Sequence, residues 1–184
     1  LWVSYSVNKE DMWISRIPVP VEINASAHAD DDFSNNKSIA ELTDWNIYSP
    51  VWAPVSLEGQ WLKLQDKDPF DYAKVERKIP ASKELKVSFD LKAGQNDKGT
   101  LQIEFLDENG IACSRMELTD DGIFRMKGGS RFANMMKYEA GKVYHVEAVL
   151  STADRNIQVY VDGKRVGLRM FYAPVAAVER IVFR

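Results

Sequence analysis

KVYHVEAVLSTADRNIQVYVDGKRV, residues 142–166, decides the fold. Two alternating runs, VYHVEAVLS and NIQVYV, flank STADRN and lead into Asp162-Gly163. Asp-Gly between alternating apolar residues is the strongest short-range hairpin signal, because both central positions of the tight turn need positive φ. This predicts two adjacent antiparallel strands closing on a third. A sheet with one dry face and one wet face follows from the alternation.

The same grammar runs outward from that hairpin. In KVSFDLKAG, Val87, Phe89 and Leu91 share one face while Ser88, Asp90 and Lys92 share the other. From Trp45 onward come eleven short extended runs: WNIYSPVW, GQWLKLQ, YAKVERKI, ELKVSFDLKA, GTLQIEFLD, IACSRMEL, IFRMK, KVYHVEAVLS, NIQVYVDG, KRVGLRMF and VERIVFR. Turn formers such as DENG, TDDG, KGGS and DGKR separate them. Short strands at this spacing with no amphipathic helix predict an all-β, two-sheet antiparallel β-sandwich over residues 45–184.

Upstream, LWVSYSV and DMWISR alternate on either side of NKED and read as a terminal hairpin within residues 1–20, ended by Pro18 and Pro20. Residues 21–44, containing HADDDFSNNKS, lack periodicity and read as a linker or long loop. Leu1 opens the sequence without an initiator Met, which reads as a processed chain or an excised fragment.

Composition bounds the function. With 184 residues, 45% hydrophobic and 28% charged, the chain can build a real core. Net charge is −3, and residues 1–50 carry three Lys or Arg against eight Asp or Glu. No basic stripe invites nucleic-acid phosphates or anionic lipids. No apolar run approaches the roughly 20 residues of a membrane span. A lone Cys113 excludes an internal disulfide and a CxxC metal or redox site; it reads as a small buried apolar residue.

KVYHVEAVLSTADRNIQVYVDGKRVG resembles the closing hairpins of concanavalin-A-like and laminin-G-like sandwiches. LWVSYSVNKEDMWISRIPVPV is similar to the last propeller strands of secreted bacterial sialidase-like glycoside hydrolases with BNR-type repeats, and LQDKDPFDYAKVERKIP resembles a stretch near the start of the sandwich that follows such propellers. The resemblance implies a jelly-roll sandwich of concanavalin-A-like type and a partner propeller outside this sequence. It also implies a secreted, periplasmic or cell-surface bacterial location. The family's arginine cluster, Tyr nucleophile and neighbouring Glu lie in the propeller, so no catalytic residue is assigned here. LTDDGIFR departs from the Asp-box pattern at Leu118 and Arg125.

Several constellations remain as candidates. Trp45, Tyr48, Trp52, Trp61 and Tyr72 can form a carbohydrate-binding platform, since sugar C–H faces stack on exposed aromatic rings. Asp66, Asp68 and Asp71 in QDKDPFDY offer hard oxygens for Ca²⁺, though without the Gly and distal Glu of an EF-hand loop. Asp30, Asp31 and Asp32 read as solvated charge. Arg115, Arg125 and Arg131, with Lys127, can clamp an anionic sugar. Glu104 and Glu108 are the nearest match to a paired-carboxylate glycosidase motif, but Leu106 stands where that motif wants Asp; the competing reading is a solvated strand face. His28 and His145 have no local nucleophile partner. These readings predict a non-catalytic accessory module of a sialidase-like glycoside hydrolase, giving structural support and binding carbohydrate. A self-contained sandwich-type glycoside hydrolase and a lectin-like domain stay open as alternatives.

Overall fold

The computed structural model describes residues 2–7, 11–16, 29–67 and 70–184. Strands β1 (Trp2–Val7) and β2 (Asp11–Arg16) form the terminal hairpin, with Trp2 opposite Arg16 and Val7 opposite Asp11. Residues 8–10 of its turn, and Pro18, Pro20 and His28, lie outside the described residues. Trp2, Tyr5, Met12 and Ile14 are exposed on this hairpin.

The sandwich begins with β3 (Trp45–Tyr48), β4 (Val55–Glu58) and β5 (Trp61–Leu64). It continues through β6 (Lys74–Ser82), β7 (Glu84–Lys92), β8 (Leu101–Leu106), β9 (Ala112–Leu118), β10 (Ile123–Gly128) and β11 (Arg131–Lys137). Strands β12 (Val143–Ser151), β13 (Asn156–Val161), β14 (Lys164–Met170) and β15 (Val178–Phe183) complete it. A seven-stranded sheet ordered β11-β10-β9-β8-β15-β6-β3 faces a four-stranded sheet ordered β14-β13-β12-β7, and β4-β5 is a separate two-stranded ribbon. Among the described residues all strand pairs are antiparallel, in keeping with the alternation. The decisive hairpin forms as predicted: Asp162 and Gly163 take φ of 50° and 76° between the paired Val161 and Lys164.

Burial of the dry faces supplies the main stabilisation. Ile103, Phe105, Met116, Leu118, Phe124 and Met126 from the large sheet meet Val146, Ala148, Leu150, Ile157, Val159 and Val161 from the small one. At one edge the sheets draw very close, because a Cβ on Gly167 of β14 would lie 2.7 Å from the Met135 sulfur. Where the small sheet ends, a second cluster of Ala53, Val55, Ala73 and Val75 continues the dry face beneath Trp45, Ile47, Leu62 and Leu64. Phe183 packs against both clusters.

Residues 29–44 of the expected linker hold a short 3₁₀ turn at Ile39–Glu41 and are anchored to the sandwich. The buried Arg77 of β6 pairs with Asp31 at 2.9 Å and with Asp44 at 3.3 Å, and donates to the Asp44 carbonyl. Asp31 is therefore a structural anion rather than a solvated one. A guanidinium taken out of water requires such partners. Asp32 accepts from the Ser34 amide and hydroxyl; the backbone bond, then the side-chain bond, hold its carboxyl below the usual range.

Candidate functional site

Alternation gives the large sheet an outward face, and cross-strand register sets its residues in rows. One row runs Asn46, Glu76, Val182, Glu104, Arg115, across β3, β6, β15, β8 and β9. Beside it Gln102 faces Glu117, Glu117 faces Arg125, and Arg125 faces Asn134. Arg184, just past β15, is fixed to Gln102 by backbone hydrogen bonds in both directions. Tyr48 of edge strand β3 stands opposite Lys74.

This face carries three carboxylates that are nearly closed to water: Glu76, Glu104 and Glu117 are 8%, 6% and 3% exposed. Arg115 donates to Glu104 Oε1 from Nε at 2.7 Å and contacts the same oxygen through Nη2 at 2.6 Å. Arg184 Nε lies 3.4 Å from Glu104 Oε2 and donates to Gln102 Oε1 at 2.9 Å. Arg125 grips Glu117 Oε2 from Nε and Nη2 at 2.9 and 2.7 Å. Glu76 receives Lys74 at 2.9 Å and Arg180 at 3.3 Å. Charge-assisted pairs of this kind hold both side chains in one geometry.

The loop after β14 folds over the end of this lattice. The Tyr172 amide donates to the Cys113 carbonyl, and the Tyr172 ring lies 4.3 Å beneath the Lys127 ammonium. Burial, outweighing the opposing pull of Arg115, raises the pKa of the Tyr172 phenol, so it remains a neutral hydroxyl donor. At Arg115, burial is the largest influence and lowers the pKa. The hydrogen bond and charge of Glu104, with Tyr172 and Glu117, outweigh it and leave the guanidinium above its ordinary value. Over Glu104 opens a shallow cavity of about 290 Å³, lined by Lys74, Glu104, Leu106, Arg115, Val182 and Arg184 among others.

The predicted aromatic residues divide. Tyr48 and Tyr72 come together, with ring centroids 5.4 Å apart, and Tyr48 donates to Asp71 Oδ1 at 3.0 Å. That bond chiefly raises the pKa of the Tyr48 phenol. Trp52 is 65% exposed in the turn after β3, where its carbonyl accepts from the Lys67 amide. Trp61 is partly exposed at the tip of the β4–β5 ribbon, opposite Glu58. Trp45 turns inward instead and is half-buried, packing on the second cluster and on Phe33 at 5.8 Å.

Of the expected calcium ligands, Asp71 is engaged by the Tyr48 hydroxyl and by the Tyr72 amide, Asp66 is exposed, and Asp68 lies outside the described residues. Among the described residues no three His, Cys, Asp or Glu side chains are grouped as a metal ion would need.

The family model described as "Sialidase-like, CBM domain" matches residues 45–184. The chain belongs to this sialidase-like CBM family. A solved structure named "Sialidase" is 91% identical, with a TM-score of 0.92; the match covers 100% of this chain and 17% of that one. The chain therefore spans about a sixth of that relative. A structure described as a native glycosidic hydrolase is 15% identical at TM-score 0.48, covering 77% of this chain and 76% of its own. Sheep galectin-11 in complex with glycerol is 18% identical at TM-score 0.47, covering 59% and 87%. No curated protein matches the chain.

Within the sialidase-like CBM domain, the remaining candidates resolve individually. Glu104 is no solvated strand residue but a buried partner of Arg115 and Arg184. Glu108 lies beyond the end of β8, in the turn where its carbonyl accepts from Arg180, so the two glutamates do not share a strand face. Cys113 is fully buried, and burial pushes its thiol up to about 12. His145 is exposed on the small sheet, 2.8 Å from Asp90. Arg115, Arg125 and Lys127 do share the outward face, whereas Arg131 lies exposed at the β10–β11 turn opposite Gly128.

The sequence reading missed Glu76, Gln102, Glu117, Tyr172, Arg180 and Arg184 as parts of one surface. A signal existed: QIEFL, SRMEL and FRMK each alternate charged or polar with apolar residues. Lateral register was needed to join them.

Proposed function

We propose that the chain is a non-catalytic, carbohydrate-binding accessory module of a longer sialidase, secreted by a bacterium, and that it meets glycans on the outward face of the seven-stranded sheet. The observation that carries this reading is the exposed Tyr48–Tyr72 ring pair holding Asp71, at the edge of a fixed polar lattice. Aromatic rings take the apolar face of a sugar, and preset donors and acceptors take its hydroxyls. A glycan-array screen of the chain, with Tyr72→Ala and Trp52→Ala beside it, tests the reading. Binding that Tyr72→Ala loses at least tenfold supports it; silence across the array in folded protein overturns it.

The terminal hairpin favours a structural role as well. Four exposed apolar side chains on a two-stranded ribbon need cover, because such a ribbon is marginal alone. The proposed cover is a propeller in the longer protein, for which cross-linking mass spectrometry of that protein should join residues 2–16 to the propeller. Cross-links confined to the sandwich would remove this role.

A further inference from the structure

We infer that the cavity over Glu104 recognises an acidic saccharide, its carboxylate or sulfate group received by Arg184, Arg115 and Lys74. This rests on the carbohydrate-binding reading and adds the ligand's charge and its seat. Charge carries the inference. Across the five central strands β6, β15, β8, β9 and β10, with Arg184 just past β15, the outward positions hold only three carboxylates, Glu76, Glu104 and Glu117. Set against them are seven cations: each of the three glutamates has at least one basic partner, and Lys78, Arg180, Lys127 and Arg184 stand in excess. A chain with net charge −3 thus concentrates positive charge on one face. Such a field raises the local concentration of anions and speeds their arrival.

Geometry places the seat. Arg184 spends only Nε on Gln102 and Glu104, so among the described residues its two terminal amino groups donate to no protein acceptor. A guanidinium fork with free parallel donors matches a carboxylate or sulfate. Glu104 Oε1 is saturated by Arg115, while among the described residues Oε2 has only the 3.4 Å contact and can accept a sugar hydroxyl. Leu106 supplies an apolar wall for ring C–H groups, and about 290 Å³ has room for a sugar ring.

The test is calorimetric titration of the 184-residue chain with three oligosaccharides of matched length, one neutral, one carboxylated and one sulfated. Arg184→Gln and Lys74→Gln are carried alongside, with Lys86→Gln on the opposite sheet as control. Both test side chains are part-exposed, and circular dichroism confirms folding. The expected result is at least tenfold tighter binding of one acidic ligand than of the neutral one. That preference should fall about tenfold in Arg184→Gln, less in Lys74→Gln, not at all in Lys86→Gln, and weaken with added salt. Whichever acidic ligand binds identifies the group. Equal binding of neutral and acidic ligands, or full affinity in Arg184→Gln, overturns the acidic site while leaving carbohydrate binding intact. Silence toward all three overturns both.

Discussion

The two outward faces of this sandwich are built from the same alternating strands and end differently. On the small sheet, outward Lys86, Lys92 and Arg165 balance Glu84, Asp90 and Glu147, and the pairs Lys86–Glu147 and His145–Asp90 stand largely in water. On the large sheet the carboxylates are buried beneath arginines, and cations outnumber them. The first is an ordinary wet face, where ion pairs contribute little. The second has taken its carboxylates out of water, which costs free energy unless each retains its partners. A polar surface held in place at that cost has its donors oriented before any ligand arrives.

The comparison breaks most readily at Glu104. Glu104→Ala should lower unfolding free energy in urea by about 3 kcal/mol, because two guanidiniums lose a buried partner; a loss under about 1 kcal/mol would show the lattice to be no more than surface charge. A smaller effect is expected where the sheets draw together. Gly167→Ala forces a methyl against the flexible ends of Met135 and Met126, and should cost about 1–2 kcal/mol by the same measurement. An unchanged midpoint would mean that the two methionines yield freely.

Cys113 reports on the dryness between the two sheets through pH. Its thiol is held up to about 12 when folded, against an ordinary value of 9.0, so the native chain keeps a proton that the unfolded chain releases. Stability attributable to this group is therefore whole well below pH 9 and declines as pH rises toward 12, by about 1.4 kcal/mol at pH 10. Cys113→Ala should lack that component; identical pH slopes for the two proteins would refute it. The smallest change belongs to the ordinary face: Lys86→Ala should shift stability by less than about 0.5 kcal/mol. A loss comparable to that of Glu104→Ala would erase the distinction between the faces.

Legibility followed the range of the interaction. The Asp162-Gly163 turn, the hairpin β1–β2 and eleven strands from Trp45 onward lay in local pattern, where period two and turn chemistry suffice. Strand β4 escaped because only four residues follow Pro54. Strand β11 escaped because a bulge puts Met135 and Met136 side by side and breaks the alternation. The site was harder still. Glu104 meets Arg115 from a neighbouring strand and Arg184 from the end of the chain, contacts that depend on strand order rather than spacing. The inward course of Trp45 was hidden for a related reason: it stands opposite Arg77 and packs on the second cluster, both of which depend on strand order.

Phe183 belongs to both apolar clusters and meets Phe89 edge-on at 5.2 Å. The β4–β5 ribbon, which carries Trp61 and adjoins Trp52, packs on Val75 of β6 and on Trp45 and Ile47 of β3, and Phe183 joins that cluster to the core between the sheets. The chain from Trp45 onward should melt as one cooperative unit, and the amides of the ribbon should exchange with solvent only as fast as those beneath Phe183 allow.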